Sequence, residues 1–178
     1  MIQTQDRVPL QAAQGSAARP YSFRDLVEAD LPILQTWLGA DHVREWWGDP
    51  DEALAEILEA MGDPATRPMI VELEGEPIAY LQTYDPHKET RHPYRDQPEG
   101  TLGLDLSIGP ADRLGSGHGS AILRRYSDQL FEQGVLRLII DPDPKNIRAI
   151  RAYEKAGFVA FDRRTSIYGP ALMMARDA

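Results

Sequence analysis

Between Arg113 and Ser120 the chain reads RLGSGHGS, with glycine at 115, 117 and 119. Glycine carries an entropic cost inside a structured domain, so three at alternate positions imply that something approaches the backbone closely. The run lies between an apolar segment, TLGLDLSIGP, and a helix-forming one, AILRRYSDQLFEQG. Amide N–H groups that converge where such a helix opens can hold a phosphate. The P-loop pattern fails because no Lys-Ser or Lys-Thr follows, and G-x-G-x-x-G/A fails because Ser120 takes the sixth place after Gly115. The nucleophile elbow G-x-S-x-G fails because Leu114 and His118 flank Ser116 at two residues. An anion cradle and a ligand-free glycine turn are both left open by the run alone.

The elements around this loop follow from periodicity. From Tyr21, YSFRDLV alternates like a strand. Asp30 is expected to cap a helix over LPILQTWL, where Leu31, Leu34, Trp37 and Leu38 recur at helical spacing. DHVREWWGDP breaks at Gly48 and Pro50, and DEALAEILEAM forms a second helix ending at Gly62. PMIVELEGEPIAYLQTY reads as a hairpin about Glu74-Gly75-Glu76. The polar stretch from Asp85 to Gly100 is long for a loop, which marks it as functional or disordered. Then come a strand over TLGLDLSI, the glycine run, a helix from Gly117 to Gln133, and a strand over VLRLIID. A proline-led helix stopped at Gly157 follows, and VAFDRRT and ALMMARD close the chain as strands around Tyr168-Gly169. The order βααβββαβαββ describes one mixed α/β domain over residues 21–178, with a mobile arm over residues 1–20.

The totals narrow the function classes. With 178 residues and 42% apolar composition, the chain can bury roughly 70% of its unfolded surface in a single core. A net charge of −9 excludes ordinary nucleic-acid binding, which needs concentrated Lys and Arg, and is compatible with a cationic ligand. No apolar run is long enough to span a membrane, and the first residues lack the pattern of a signal peptide, so the expected compartment is the cytoplasm. The absence of cysteine removes disulfides, thiolate metal sites and a cysteine nucleophile. His42, His87, His92 and His118 show no H-E-x-x-H spacing and are expected to be solvated, with no metal bound.

Two motifs in order carry a resemblance. Gly117 and Gly119 fit the glycines of Q/R-x-x-G-x-G/A, with Leu114 in its first place and Arg113 one residue early; NIRAIRAYEKAGF then supplies Asn146, Tyr153, Gly157 and Phe158. Together they resemble the GNAT acetyltransferases, whose strand–loop–helix binds the pyrophosphate of acetyl-CoA. WWG (Trp46, Trp47, Gly48), GEPIAYLQTY, GLDLSI, DPDPKNIRAIRAYEKAGF and YGPALMM resemble the aminoglycoside 6'-N-acetyltransferases in particular. The implied fold is a mixed, mostly antiparallel sheet flanked by helices and splayed between its fourth and fifth strands. The implied co-substrate is acetyl-CoA, held by Leu106, Ser107, Ile108, Arg113, Leu114, Gly115, Ser116, Gly117, His118, Gly119, Ser120, Asn146, Ala149 and Tyr153.

The residues agree with such a reaction. Aminoglycosides are polycations, and acidic residues cluster where a substrate is expected to meet the thioester: Asp105 in the strand before the glycine loop, and Asp141 and Asp143 just past the next strand. A primary amine with a pKa of about 10 is protonated at neutral pH and must lose a proton before it attacks. Asp105, with Leu104 and Leu106 on the opposite face, is expected to hold the ammonium and act as general base, directly or through a water. The resemblance implies that Tyr153 protonates the departing thiolate. Asn146 either meets the pantetheine arm or caps its helix. A backbone N–H of Leu106 or Ser107 is expected to polarise the thioester carbonyl. At least one of Trp46 and Trp47 forms a wall for sugar rings, and Tyr84 and Asp85 complete the substrate side. Relatives carry Asp before the Gly-Pro of the last hairpin, whereas here Tyr168 stands there, so one cation contact is expected to be missing.

The nearest alternative is an acyltransferase of siderophore biosynthesis acting on hydroxylated lysine; such enzymes carry His at the place of Asp105. A protein N-acetyltransferase suits the acidic cluster less well. A CoA-binding module without turnover does not need both Asp105 and Tyr153. A monomer is expected rather than a dimer.

Overall fold

The computed structural model describes residues 21–166 and 169–178, so the arm over residues 1–20 and Tyr168 lie outside the described residues. Seven strands form a single sheet: β1 (Tyr21–Asp25), β2 (Thr66–Leu73), β3 (Glu76–Tyr84), β4 (Leu102–Ile108), β5 (Arg137–Ile140), β6 (Val159–Ser166) and β7 (Gly169–Asp177). Their order is β1-β2-β3-β4-β5-β7-β6, and every neighbouring pair is antiparallel except β4 with β5. The β2–β3 turn forms where expected, with Glu74 and Gly75 both at positive φ (54° and 85°).

The five α-helices among the described residues are α1 (Leu31–Leu38), α2 (Asp41–Trp47), α3 (Pro50–Gly62), α4 (His118–Glu132) and α5 (Ile147–Lys155). They divide between the two faces of the sheet. Helices α4 and α5 cover one face, packing Ile122, Leu123, Tyr126 and Tyr153 against Leu81, Leu104, Leu138 and Met174. Helices α1 to α3 lie on the other face, where Leu34, Trp37, Val43 and Ile57 meet Ile70 and Tyr80. A third cluster on that second face joins Tyr94 to Ile139, Ala171, Met173 and Ala175.

Three local expectations are corrected. Asp30 stands at the N-cap of α1 but its side chain does not cap that helix: it is buried, its two oxygens accept from Arg24 at 2.6 and 2.8 Å, and Oδ2 also accepts the Val27 N–H at 3.1 Å across the preceding turn. DHVREWW, given no helix in the sequence, forms one of seven residues, too short for a periodic signal, and the break expected at Gly48 and Pro50 follows it. Helix α5 starts after Asn146, whose Oδ1 accepts from the Ala149 N–H at 3.1 Å, so it is Asn-capped and not proline-led.

The loop between Asp85 and Gly100 is neither disordered nor merely exposed. Arg164 on β6 clamps it, donating to Asp96 at 2.8 and 2.7 Å and to the Pro93 carbonyl at 3.3 Å. Tyr94, only 1% exposed, is driven into the sheet beneath.

Candidate active site

Strands β4 and β5 pair only through Leu102 with Leu138 and Gly103 with Ile139. Beyond that they splay, as expected of the fold. Asp105 and Asp141 each lie two residues past the last pair. Side chains alternate along a strand, so both carboxylates point to the face that Gly103 and Ile139 share. The sheet register thus sets two acids at the mouth of one opening.

Each acid has one neutral side-chain donor among the described residues. Gln82, opposite Asp105 on β3, donates its Nε2–H to Asp105 Oδ2 at 2.7 Å, and its Oε1 accepts from the Tyr80 hydroxyl at 2.6 Å. The Tyr94 hydroxyl donates to Asp141 Oδ2. Burial pushes Asp105 up to about 6, against the lowering effect of Gln82. Burial, and then the negative charge of Asp105, push Asp141 up to about 7. Tyr153 is buried and raised above the ordinary phenol range by burial and then by Asp105 and Asp141. Tyr153 packs from α5 on the opposite face of the sheet, near enough to both acids to feel their charges.

The register also sorts the backbone donors. Gly109 donates to the Ile78 carbonyl at 3.0 Å, which fixes the alternation along β4. Ser107 and Asp105 therefore turn their N–H groups to β3, while those of Leu106 and Ile108 face the splayed side. His42 follows the same rule, meeting the Ile108 carbonyl at 3.1 Å.

At the N-terminus of α4, Gly115 and Gly117 take φ of 71° and 78°, and no protein atom lies within 4 Å of where a Cβ would sit at either. Gly117 is the N-cap and no side chain caps this end. Arg113 and Leu114 belong to a tight turn that spends their own N–H groups on Pro110 and Ala111. The N–H groups of Gly119 and Ser120 have no acceptor inside the helix. A bare cradle of amides at a helix start fits a pyrophosphate. His118 supplies no side chain to it: its ring is buried, with Nδ1 at 2.8 Å from the Tyr21 hydroxyl.

Past the two acids lies a cleft of about 240 Å³ lined by Glu45, Trp46, Asp141, Asp143, Gly169, Pro170 and Ala171. Trp46 therefore stands where a sugar wall was expected, and its buried Nε1–H has no partner among the described residues. Trp47 instead packs edge-on against Tyr80, 5.6 Å between centroids. Tyr84 lies flat on Gly103, where a Cβ would come within 2.0 Å of its ring, and stacks on His92 at 5.1 Å. Asp85 accepts from the His87 N–H at 2.9 Å and closes a turn. None of these three is among the residues that line the cleft. The histidines are not freely solvated as expected: His118 is buried and the other three are half-buried. His42 and His118 bond within the protein, His87 Nε2 meets the Gln97 carbonyl at 3.0 Å, and His92 packs between Tyr84 and Tyr94.

Residues 26–165 match the family model for an acetyltransferase (GNAT) domain. The chain is 34% identical over 164 residues to an aminoglycoside N(6')-acetyltransferase type 1 of Klebsiella pneumoniae, covering 87% of this chain and 82% of that protein. The chain belongs to the GNAT acetyltransferases, among the aminoglycoside N(6')-acetyltransferases. It superposes on aminoglycoside acetyltransferase AAC(6')-Ib in complex with coenzyme A and kanamycin with a TM-score of 0.80 at 32% identity, covering 89% of this chain and 95% of that one. An N-hydroxyputrescine acetyltransferase of Acinetobacter baumannii is more distant, 27% identical over 83% of this chain and 75% of its own length.

Gln82, Tyr80, Tyr94 and Glu45 were missed in the sequence. Glu45 alone left a trace there, directly before the tryptophan pair. Gln82 and Tyr94 are defined by cross-strand or loop contacts that no spacing encodes, and Tyr80 matters only through Gln82, two residues on along β3.

Proposed function

We propose that this enzyme transfers the acetyl group of acetyl-CoA to the 6'-amine of aminoglycosides, with both molecules bound together, and so confers resistance to them. The observation that carries this reading is the pair Asp105 and Asp141 at the mouth of the β4–β5 opening, beside a cleft lined by Glu45, Trp46 and Asp143. Acetyl-CoA, when bound, supplies the acetyl thioester. The amides from Gly115 to Ser120 hold its pyrophosphate, and the Leu106 N–H polarises the thioester carbonyl. Asp105 binds the ammonium and takes its proton. A base raised to about 6 is ionised at neutral pH yet close enough to accept readily. Tyr153, a neutral phenol at every working pH, donates its proton to the departing sulfur. Without cysteine the chain has no thiol to carry the acetyl group, which favours direct transfer.

Asp141, Asp143, Glu45 and Trp46 take the remaining ammonium groups and a sugar face. The unit is a single domain over residues 21–178 that acts as a monomer in the cytoplasm, and no described helix is long and apolar enough to cross a membrane. The test is release of free thiol from acetyl-CoA with kanamycin, hydroxylysine or a lysine peptide as acceptor. Kanamycin is expected to be preferred by its kcat/KM; preference for hydroxylysine would replace this function with the siderophore alternative.

A further inference from the structure

We propose that Tyr94 is a positioning residue for Asp141, its hydroxyl holding one carboxylate oxygen so that the other is presented to a substrate ammonium. The proposal rests on the function above for the identity of the ammonium. Asp141 sits just beyond β5 and lines the cleft, and its Oδ2 accepts from the Tyr94 hydroxyl. No hydrogen bond between side chains among the described residues engages Oδ1, which is the oxygen the proposal assigns to a ligand.

The surroundings explain how one hydroxyl can do this. Tyr94 is buried against Ile139, Ala171, Met173 and Ala175, so its ring cannot swing away. The ring meets His92 edge-on at 5.2 Å, and the Arg164 guanidinium lies 5.8 Å from its centroid. The same Arg164 grips Asp96 and Pro93 on either side of Tyr94 in sequence. A line of contacts therefore runs from edge strand β6, through the clamped loop, to the acid in the cleft. This gives the long loop a task that its polar sequence did not disclose.

The chemistry supplies the need. The groups facing Asp141 are Asp105 from β4, Tyr153 from α5, Tyr94 from the loop, and Glu45 and Asp143 around the cleft. Among them only Tyr94 donates to the carboxylate by a hydrogen bond between side chains that the described residues show. Asp105 and burial both oppose its ionisation, and Tyr94 favours it. Without that donor Asp141 would stay protonated to higher pH and turn more freely, and would bind a cation poorly at neutrality.

Tyr94→Phe keeps the ring and its packing and removes only the hydroxyl. KM for kanamycin at pH 7 is expected to rise about tenfold, the usual loss for a hydrogen bond to a charged group, with kcat within about twofold and KM for acetyl-CoA unchanged. The pH at which kanamycin KM improves should move upward in the variant, and its KM should approach the parent's above that pH. Independently of any substrate, the ¹³C carboxyl titration of Asp141 should move to higher pH in Tyr94→Phe. An unmoved titration overturns the proposal whatever the kinetics. So does a loss that falls on kcat or on acetyl-CoA alone, since a merely structural tyrosine would act that way. If the parent acetylates no aminoglycoside, the function above fails while the carboxyl titration still judges Tyr94.

Discussion

In the proposed reaction Asp105 both holds a cation and takes its proton, and one substitution separates these tasks. Asp105→Asn keeps the shape while removing the charge and the acceptor, so kcat/KM for kanamycin should fall about 10²–10⁴-fold at pH 7. Weaker cation binding alone would appear in KM, whereas loss of the base should depress kcat and persist at saturation. Raising the pH deprotonates the amine, so activity of the Asn variant should climb towards the amine pKa while the parent levels off earlier. Near-parental kcat at pH 7 would move the base to Asp141. Tyr153→Phe should lower kcat with little change in either KM, because its proton is needed only as the thiolate develops. The size of that drop in single-turnover measurements reports how much the phenol contributes.

At the scale of elements, the glycines of the cradle are not equally required. Gly115 and Gly117 need positive φ. Gly119 does not: a Cβ there would sit 3.8 Å from Ala152 Cβ and Leu106 Cδ2, an ordinary contact. The protein by itself therefore tolerates alanine at 119. Gly119→Ala should stabilise the free enzyme by up to about 1 kcal/mol through helix propensity. CoA affinity should be nearly unchanged, because alanine keeps the backbone N–H and its Cβ turns towards Ala152 and Leu106. Denaturant unfolding and calorimetry on the same variant would check both outcomes. Gly109 is the converse case, because a Cβ would come within 2.1 Å of the Trp37 ring. Gly109→Ala should cost about 1–3 kcal/mol by overpacking α1 against β4. Equilibrium unfolding measures that cost.

For the whole molecule, two mutually opposed acids make stability depend on pH. The folded pKa values of Asp105 and Asp141, about 6 and 7, lie above the ordinary carboxylate value of about 3.9. A raised carboxyl contributes stability that is full below the unfolded pKa and is lost as pH rises through the folded pKa. Relative to Asp141→Asn, the free parent should therefore lose melting temperature between about pH 4 and pH 7. A bound polycation reverses the penalty by pairing the ionised acids. Kanamycin should accordingly raise the melting temperature more at pH 7.5 than at pH 5, which thermal scans with and without the drug would measure. An equal gain at both values would mean that the acids do not meet the drug.

The sequence by itself determined a good deal here. The spacing of Gly117 and Gly119 ahead of a helix, and of Asn146, Tyr153, Gly157 and Phe158 in the next, encodes the family because each motif is local to one turn or one helix. Asp105 was legible for the same reason, as the polar residue between two leucines of a strand. The tertiary structure alone decided which groups serve those residues. That Ser107 spends its N–H on β3 while Leu106 keeps its own turned to the opening is a matter of register, and register joins residues distant in the chain. Trp46 and Trp47 are adjacent and alike in sequence, yet one lines the cleft and the other packs on Tyr80, because a helix turns successive side chains apart by about 100°. The pairing of Tyr94 with Asp141 spans 47 residues. Only the fold of the loop under Arg164 brings them together.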